Sequence, residues 1–329
     1  MVIDTSAGND NFTHFADFYQ PFLIDECHVK GNFIRLGEAM HEIASRHNYP
    51  EAISKLLGEQ MVLACMLSGN LEEKGSLTMQ VKGSGEGPVK FTVVDINAEG
   101  HIRGYAELDE GAAKQVAKMV KTKDTPPVLQ DFVGKKGYLS ITVNAGRNAQ
   151  QYQGIVALAG ETMSDALEEY FTQSEQVAVS IKVAVDQMTE KGKPKWYASG
   201  MMIQRVPTEG GKKRSKKQLA EDEEHWNRAE ILMNSVQKDE LLNPQLPAQT
   251  LLLRLFNEDG VWVYEPRQLK AQCRCSRQRV EDVLSTFPKE DIEDMKMDGV
   301  ISVSCQFCNK TEVFREEDIK RLLENAPEA

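Results

Sequence analysis

The clearest pattern in the chain is an alternation of apolar positions with small or polar ones near residue 180. The apolar positions are Val177, Val179, Ile181, Val183 and Val185. Because successive side chains of a strand point to opposite faces, this pattern predicts a half-buried strand. A turn sequence follows at 191–194, and the apolar run at 196–204 predicts the second strand of a hairpin.

Shorter patterns of the same kind recur through the first two hundred residues. They predict one or two strands within 14–35, then strands at 76–82, 89–97, 101–108, 137–143 and 152–158. Apolar residues at helical spacing predict helices at 37–47, 50–68 and 162–174. Residues 1–205 are therefore predicted to form an α+β domain with largely antiparallel sheets.

The composition changes after Pro207. A basic run (Lys212, Lys213, Arg214, Lys216 and Lys217) is followed directly by the acidic run 221–224. One apolar helix face is then predicted from the spacing of Leu219, Trp226, Ala229, Leu232, Met233 and Val236. We predict that 206–257 is a charged, amphipathic helical linker that packs on the N-terminal sheet.

Four of the six cysteines fall in two close pairs, and they change the picture most. Cys273 and Cys275 form a CxC, and Cys305 and Cys308 form a CxxC 29 residues further on. Two close pairs at this separation are typical of a structural zinc site with four thiolates and no open coordination position. The alternatives are buried thiols or disulfides. Residues 258–329 are predicted to be a zinc-binding domain, in which Ser276 caps a helix at 277–287.

The same four cysteines suggest a redox switch. Zinc keeps its cysteine ligands as thiolates, which are the form that oxidants attack. Structural zinc contributes on the order of 10–16 kcal/mol to the folding of small zinc peptides, and a domain of this size has little core to replace it. Oxidation would release the metal and unfold the domain. The spacing alone leaves two readings open, a static zinc staple and a redox sensor.

Composition limits the other function classes. The chain has 329 residues, 41% apolar and 27% charged, with a net charge of −11. An acidic chain disfavours nucleic-acid binding, which depends on a positive field. The N-terminus lacks the features of a signal peptide, and no apolar stretch is long enough to span a membrane. We therefore expect a cytoplasmic protein, and we expect Cys27 and Cys65 to be small buried hydrophobes.

The chain resembles the redox-regulated heat-shock chaperones of the thirty-three-kilodalton chaperonin family over nearly its whole length. The most specific blocks are Cys273-Arg274-Cys275-Ser276 and Cys305-Gln306-Phe307-Cys308. Supporting blocks are Gly85-Glu86-Gly87-Pro88, Ile102-Arg103-Gly104-Tyr105-Ala106, Tyr152-Gln153-Gly154-Ile155-Val156 and Gly200-Met201-Met202-Ile203-Gln204. The chain departs from the family at 311–313, where an aromatic residue is common, and at 109–127, where no element is predicted.

The resemblance implies a holdase chaperone that needs no ATP and is not an enzyme. The reduced protein would hold one zinc ion on Cys273, Cys275, Cys305 and Cys308 and be inactive. Oxidants would form Cys273–Cys275 and Cys305–Cys308 disulfides, expel the zinc and unfold the linker and the cysteine domain. The active form, a homodimer, would bind unfolded client proteins through apolar surface.

We expect the client surface on the face of the 177–185 and 196–203 hairpin that lies under the linker helix. The residues chosen for it are Val179, Ile181, Val183, Trp196 and Met202. The alternative for each of them is a position in the core.

Two other functions compete with the chaperone. A zinc-ribbon module that binds RNA or the translation apparatus would use the basic run, but the adjacent acids would cancel its field. A thiol oxidoreductase would use Cys305 and Cys308, but no thioredoxin-like pattern surrounds them. We predict no conventional active site, because the histidines and serines form no catalytic motif.

Overall fold

The structure is a computed structural model that describes residues 16–122, 125–144, 146, 151–206, 215–325 and 327. The strands are β1 (Phe18–Ile24), β2 (Val29–Leu36), β3 (Ser76–Lys82), β4 (Val89–Asn97), β5 (His101–Leu108), β6 (Tyr138–Asn144), β7 (Gln151–Ala157), β8 (Val179–Glu190), β9 (Lys193–Arg205), β10 (Val261–Val263), β11 (Arg267–Gln268), β12 (Lys270–Ala271), β13 (Ile301–Ser304) and β14 (Thr311–Phe314). The helices are α1 (Glu38–Ser45), α2 (Glu51–Leu67), α3 (Ala112–Thr122), α4 (Leu129–Val133), α5 (Met163–Gln173), α6 (Lys216–Asn234), α7 (Lys238–Leu242), α8 (Ala248–Phe256), α9 (Arg277–Leu284), α10 (Lys289–Asp294) and α11 (Glu316–Asn325).

Two large sheets confirm the predicted α+β class with mostly antiparallel pairing. The first sheet has the order β10-β1-β2-β9-β8, and β11 also pairs with β1. The second has the order β12-β5-β4-β3-β6-β7, in which only the short β12–β5 pair is parallel. The predicted hairpin is β8–β9, with Ile181 opposite Met202 and Gln187 opposite Trp196.

Helix α2 lies between the two sheets and contacts strands of both. Its sequence is apolar on nearly every side, which is the pattern of a helix buried all round. Ile53, Leu57 and Met61 are fully buried in a group of side chains that we call the central cluster. Gln60 carries the one buried side-chain amide of α2. Its Nε2 donates to the carbonyl oxygen of Met79 at 2.9 Å, so this buried donor has a hydrogen-bond partner.

Helix α6 packs on the other face of the first sheet, as predicted for the linker. Trp226, Ala229 and Met233 are buried with side chains of β8 and β9 in a second group, the linker cluster. Arg228 of α6 also pairs with Asp259, which is buried, at 2.9 Å. The predicted basic run lies partly outside the described residues. Its described part opens α6, where Lys217 lies 3.6 Å from Glu221.

The chain divides into two compact units, Met1–Ala271 and Gln272–Ala329. Strands β10, β11 and β12 pair with β1 and β5, so residues 261–271 belong to the first unit's sheets. The predicted segments 1–205, 206–257 and 258–329 describe which residues are expected to unfold together, not which residues pack together. These bounds stay a prediction. Helix α3 forms within 109–127, where the sequence predicted no element, and it buries only Ala112 and Val116.

Several predicted ends shift by a few residues. Helix α9 ends at Leu284 rather than 287, because Ser285 is its C-cap and Pro288 opens α10. Pro50 is the N-cap of α2 rather than its first residue. Across the described ranges, none of the helices combines the length and apolar character that crossing a bilayer requires.

Candidate metal centre

The four paired cysteines meet at one point in the second unit. Their Sγ atoms all lie within 4.8 Å of one another. Two of the separations are 3.7 Å between Cys273 and Cys305 and 3.4 Å between Cys275 and Cys308. A tetrahedron with zinc–sulfur bonds of about 2.3 Å requires sulfur–sulfur separations of about 3.8 Å. The donor set and its spacing therefore fit a tetrahedral thiophilic cation.

Two short segments position the ligands. Cys273 and Cys275 follow β12 and precede α9, whose N-cap Ser276 accepts a hydrogen bond at Oγ from the Arg279 N–H at 3.2 Å. Cys305 and Cys308 lie in the turn between β13 and β14. There the Cys305 N–H donates to the Lys310 carbonyl at 2.9 Å, and the Asn309 N–H donates to the Cys305 carbonyl at 2.8 Å. Asn309 has φ of 56°, a left-handed conformation that asparagine tolerates.

Arg277 joins the two cysteine segments, and sequence analysis missed its role. Its guanidinium lies 4.4 Å from the centre of the buried Phe314 ring and donates from Nη1 to the Val313 carbonyl at 3.0 Å. It also pairs with Asp318 at 2.8 Å. Its place directly after the N-cap of α9 was the available signal.

The six cysteines divide by environment. Cys27 and Cys65 are buried as expected, and burial is the first cause that raises the pKa of each thiol, that of Cys27 to about 11. The four clustered cysteines are partly exposed. Burial raises the pKa of Cys275 and Cys308. At Cys273, burial is outweighed by hydrogen bonds from the Cys275 N–H and the neighbouring thiols, which lower the pKa to about 7. The cluster is thus accessible to oxidants, whereas the two buried thiols are protected.

The predicted client residues face away from the linker. Ile181, Trp196 and Met202 belong to the central cluster, and Val183 packs against it, on the α2 side of the hairpin. Val179 is buried, with 6% of its surface exposed. Because side chains alternate along each strand, these residues point to the α2 side and not toward the linker. Their role in client binding stays a prediction. The residues under the linker are Ala184, Tyr197, Met201 and Ile203, which belong to the linker cluster.

Fold and site together define an α+β protein with a small second unit built on a closed four-cysteine centre. The family model described as Hsp33 protein matches residues 17–315. Curated relatives named 33 kDa chaperonin include one from Caulobacter vibrioides, 34% identical over 89% of this chain and 93% of its own length. Another, from Vibrio vulnificus, is 35% identical over 93% of this chain and 94% of its own length.

The chain therefore belongs to the Hsp33 family of chaperones. A crystal structure of the 33 kDa chaperonin, a heat shock protein 33 homologue, from Thermotoga maritima matches it with a TM-score of 0.70. That match covers 94% of this chain and 98% of the other at 22% identity, and it supports the fold.

Proposed function

We propose that this chaperone is a holdase that needs no ATP and is switched on by oxidation. When reduced, Cys273, Cys275, Cys305 and Cys308 hold one zinc ion. The observation that carries the proposal is the convergence of four accessible Sγ atoms within 4.8 Å in a unit with a very small apolar core. Because the four cysteines are partly exposed, oxidants can reach them. Because the apolar core of the second unit is small, the folding of this unit would depend on the bound metal.

The chemistry of the switch balances with hypochlorous acid as the oxidant. Two cysteine thiols lose two electrons and two protons to form one disulfide. Hypochlorous acid takes up both electrons and one proton to give chloride and water, and the second proton is released to solvent. Two such reactions consume all four ligands. The family resemblance favours the pairs Cys273–Cys275 and Cys305–Cys308. The sulfur contacts in the reduced cluster do not select the pairs, because a tetrahedral centre brings every pair close.

Loss of the second unit's fold would expose the client surface through the linker. Only one residue separates Cys273 from β12, and the segment β10–β12 leads back to α8 and the linker cluster. Helix α6 is highly charged and buries only three of its own side chains. Its docking on the sheet is therefore weaker than the packing of α2 between the two sheets. Its departure would uncover Ala184, Tyr197, Met201 and Ile203 for unfolded clients.

The remaining parts of the proposal follow from the same reading. The protein would act in the cytoplasm, without catalytic turnover, and form a homodimer when oxidised. The RNA-binding alternative gains no support, since the described lysines at the start of α6 are followed by acids, one of them paired with Lys217.

One titration tests the proposal. Reduced, zinc-loaded protein is treated with increasing hypochlorous acid, and zinc release, free thiols and suppression of a client's aggregation are measured in the same samples. We expect the three curves to coincide and to reverse with reductant and zinc. Cys27→Ala should behave like the unmodified protein, whereas Cys305→Ser should lose zinc without oxidant. Zinc release with no gain of activity would reduce the centre to a structural staple.

A further inference from the structure

Strand β8 is the outermost strand of the first sheet, and part of its outer edge is open. The strand order ends β2-β9-β8, and β8 runs for twelve residues. Edge strands present unpaired N–H and C=O groups that another extended chain can bond. Proteins normally block such an edge, so an open stretch in a chaperone is a candidate for binding.

Hydrogen bonds fix which backbone groups of β8 point outward. The Ala178 carbonyl accepts from the Arg205 N–H at 3.0 Å. The backbone N–H and C=O groups of even-numbered β8 residues therefore point toward β9. The Ile181 N–H instead donates to the Glu168 carboxylate, and the Gln187 N–H donates to Asp186 at 2.9 Å. Antiparallel pairing alternates, so Val183 and Val185 also direct their N–H and C=O groups outward. Among the described residues, no group accepts from either N–H.

A groove runs beside this open stretch. Its volume is about 620 Å³, and Ile181, Val183 and Val185 line it together with Leu129 and Phe132. Val183 and Val185 are partly exposed, so an added strand could bury them. The groove is also lined by four carboxylates and two ammonium groups: Glu51, Glu59, Glu161, Asp165, Lys55 and Lys182. This balance favours a basic partner.

We propose that the outer edge of β8 at Val183–Val185 adds a strand from an unfolded client, an extended segment in which apolar residues alternate with lysine or arginine. The proposal rests on the holdase function and names the clients it selects. Backbone bonds to Val183 and Val185 would give affinity that does not depend on sequence, and the groove would take the apolar side chains.

The linker controls how much of an added strand can be bound. Lys182 donates from Nζ to the Asn234 carbonyl at the end of α6, and Lys238 of α7 pairs with Asp186. Both contacts hold the linker against β8, and its apolar side chains pack with Ala184 on the face opposite the groove. With the linker released, side chains on both faces of the added strand would meet apolar surface, so oxidation should strengthen binding.

Strand addition makes a prediction that simple apolar adsorption does not. The probe is a short peptide in which valine alternates with lysine, and its binding to oxidised full-length protein is measured by fluorescence anisotropy. Two versions of the peptide carry N-methyl groups, one on its odd-numbered residues and the other on its even-numbered residues. We expect one version to lose about tenfold or more in affinity, because its blocked N–H groups face β8, and the other to bind nearly unchanged. Equal losses would overturn the proposal.

The protein offers a matched pair of variants. Val185→Pro removes an outward N–H, which an edge strand tolerates, and should weaken peptide binding about tenfold. Val185→Thr keeps the N–H and a similar shape and should bind as the unmodified protein does. Tryptophan fluorescence checks folding, and the N-methyl comparison stands even if Val185→Pro misfolds.

The outcomes separate this proposal from the chaperone function. If oxidised protein neither binds the peptide nor suppresses aggregation, the holdase function fails. If it suppresses aggregation while the N-methyl phase and Val185→Pro have no effect, only strand addition is overturned. If Val185→Pro abolishes a dimer and leaves peptide binding intact, the edge binds a second copy of the chain and the client proposal is wrong.

Discussion

Helix α2 of the first unit is enclosed by two sheets, whereas the two-stranded sheet of the second unit packs only with short helices. Among the described residues, the second unit's cluster has six buried side chains: Leu284, Ile292, Ile301, Phe314, Ile319 and Leu322. The central cluster alone contains several times as many. The first unit can therefore fold on apolar burial, while the second needs another source of stability.

The difference shows where a metal-dependent switch can be placed. A metal held by the four cysteines would replace the missing core of the second unit, so its removal would take away most of that unit's stability. Neither cluster of the first unit contains any of the four ligands. A chain built this way can lose one unit and keep the other, which a holdase needs if a folded surface is to bind its clients.

The largest expected effect is the loss of the second unit when the metal is removed. Structural zinc is worth on the order of 10 kcal/mol in small domains, more than a six-residue cluster can replace. We expect a chelator to bring amide exchange in 272–329 to unfolded rates, while α2 stays protected. The segment α6–α8 should have intermediate protection.

Tryptophan fluorescence provides the control. All three tryptophans, Trp196, Trp226 and Trp262, lie in the first unit, so their urea transition reports that unit alone. We expect the transition to persist after chelation. A second unit that keeps its amide protection without metal would contradict the comparison, and so would simultaneous unfolding of both units.

The next effect concerns the linker, which belongs to the first unit but has few anchors. Trp226 is 6% exposed, and Trp226→Ala should weaken the docking of α6 by about 3–5 kcal/mol because a large cavity remains. We expect the reduced, zinc-loaded variant to suppress client aggregation without oxidant. Light scattering of a denatured client measures this directly.

A neighbouring position on the same helix gives the matched control. Ile231 is 69% exposed, so Ile231→Ala should leave the reduced protein inactive. Met233→Ala, a smaller cavity at a buried site, should give partial activity. If Trp226→Ala keeps zinc and fold but stays inactive, release of the linker does not expose the client surface.

The sequence predicted the features that depend on local patterns. The alternation at 177–185 predicted β8, the spacing from Ile53 to Leu67 predicted α2, and the paired cysteines predicted the cluster. Each of these patterns has a direct physical cause, such as strand alternation, helical period or ligand chemistry.

Features that depend on tertiary contacts were not predictable. Strands β10–β12 are only two or three residues long and exist because β1 and β5 supply partners. Which face of β8 meets the linker depends on where α2 and α6 dock, so the sequence could not show which hairpin residues lie under the linker. The position of Arg277 after the N-cap of α9 was visible in the sequence, but its contacts with Val313 and Phe314 depend on how α9 and β14 pack.

The smallest of these effects is a pH dependence that separates the units. Asp17, in the first unit, accepts hydrogen bonds from the N–H groups of Gly37 and Ala39, and burial raises its pKa from 3.8 to about 6. A carboxyl whose pKa is higher in the folded state stabilises the fold below pH 3.8, and this contribution is lost as the pH rises through about 6. Its share of the free energy of unfolding should fall by about 2 kcal/mol between pH 4 and pH 7.

Urea unfolding followed by tryptophan fluorescence at several pH values measures this contribution, and Asp17→Asn should flatten the profile in that window. The second unit should respond in the opposite sense, because acid protonates thiolates and weakens metal binding. Mild acid would then release the metal while the Asp17 contribution to the first unit increases. If Asp17→Asn leaves the pH profile unchanged, the buried carboxyl is not the group that titrates, and the opposite responses of the two units lose their basis.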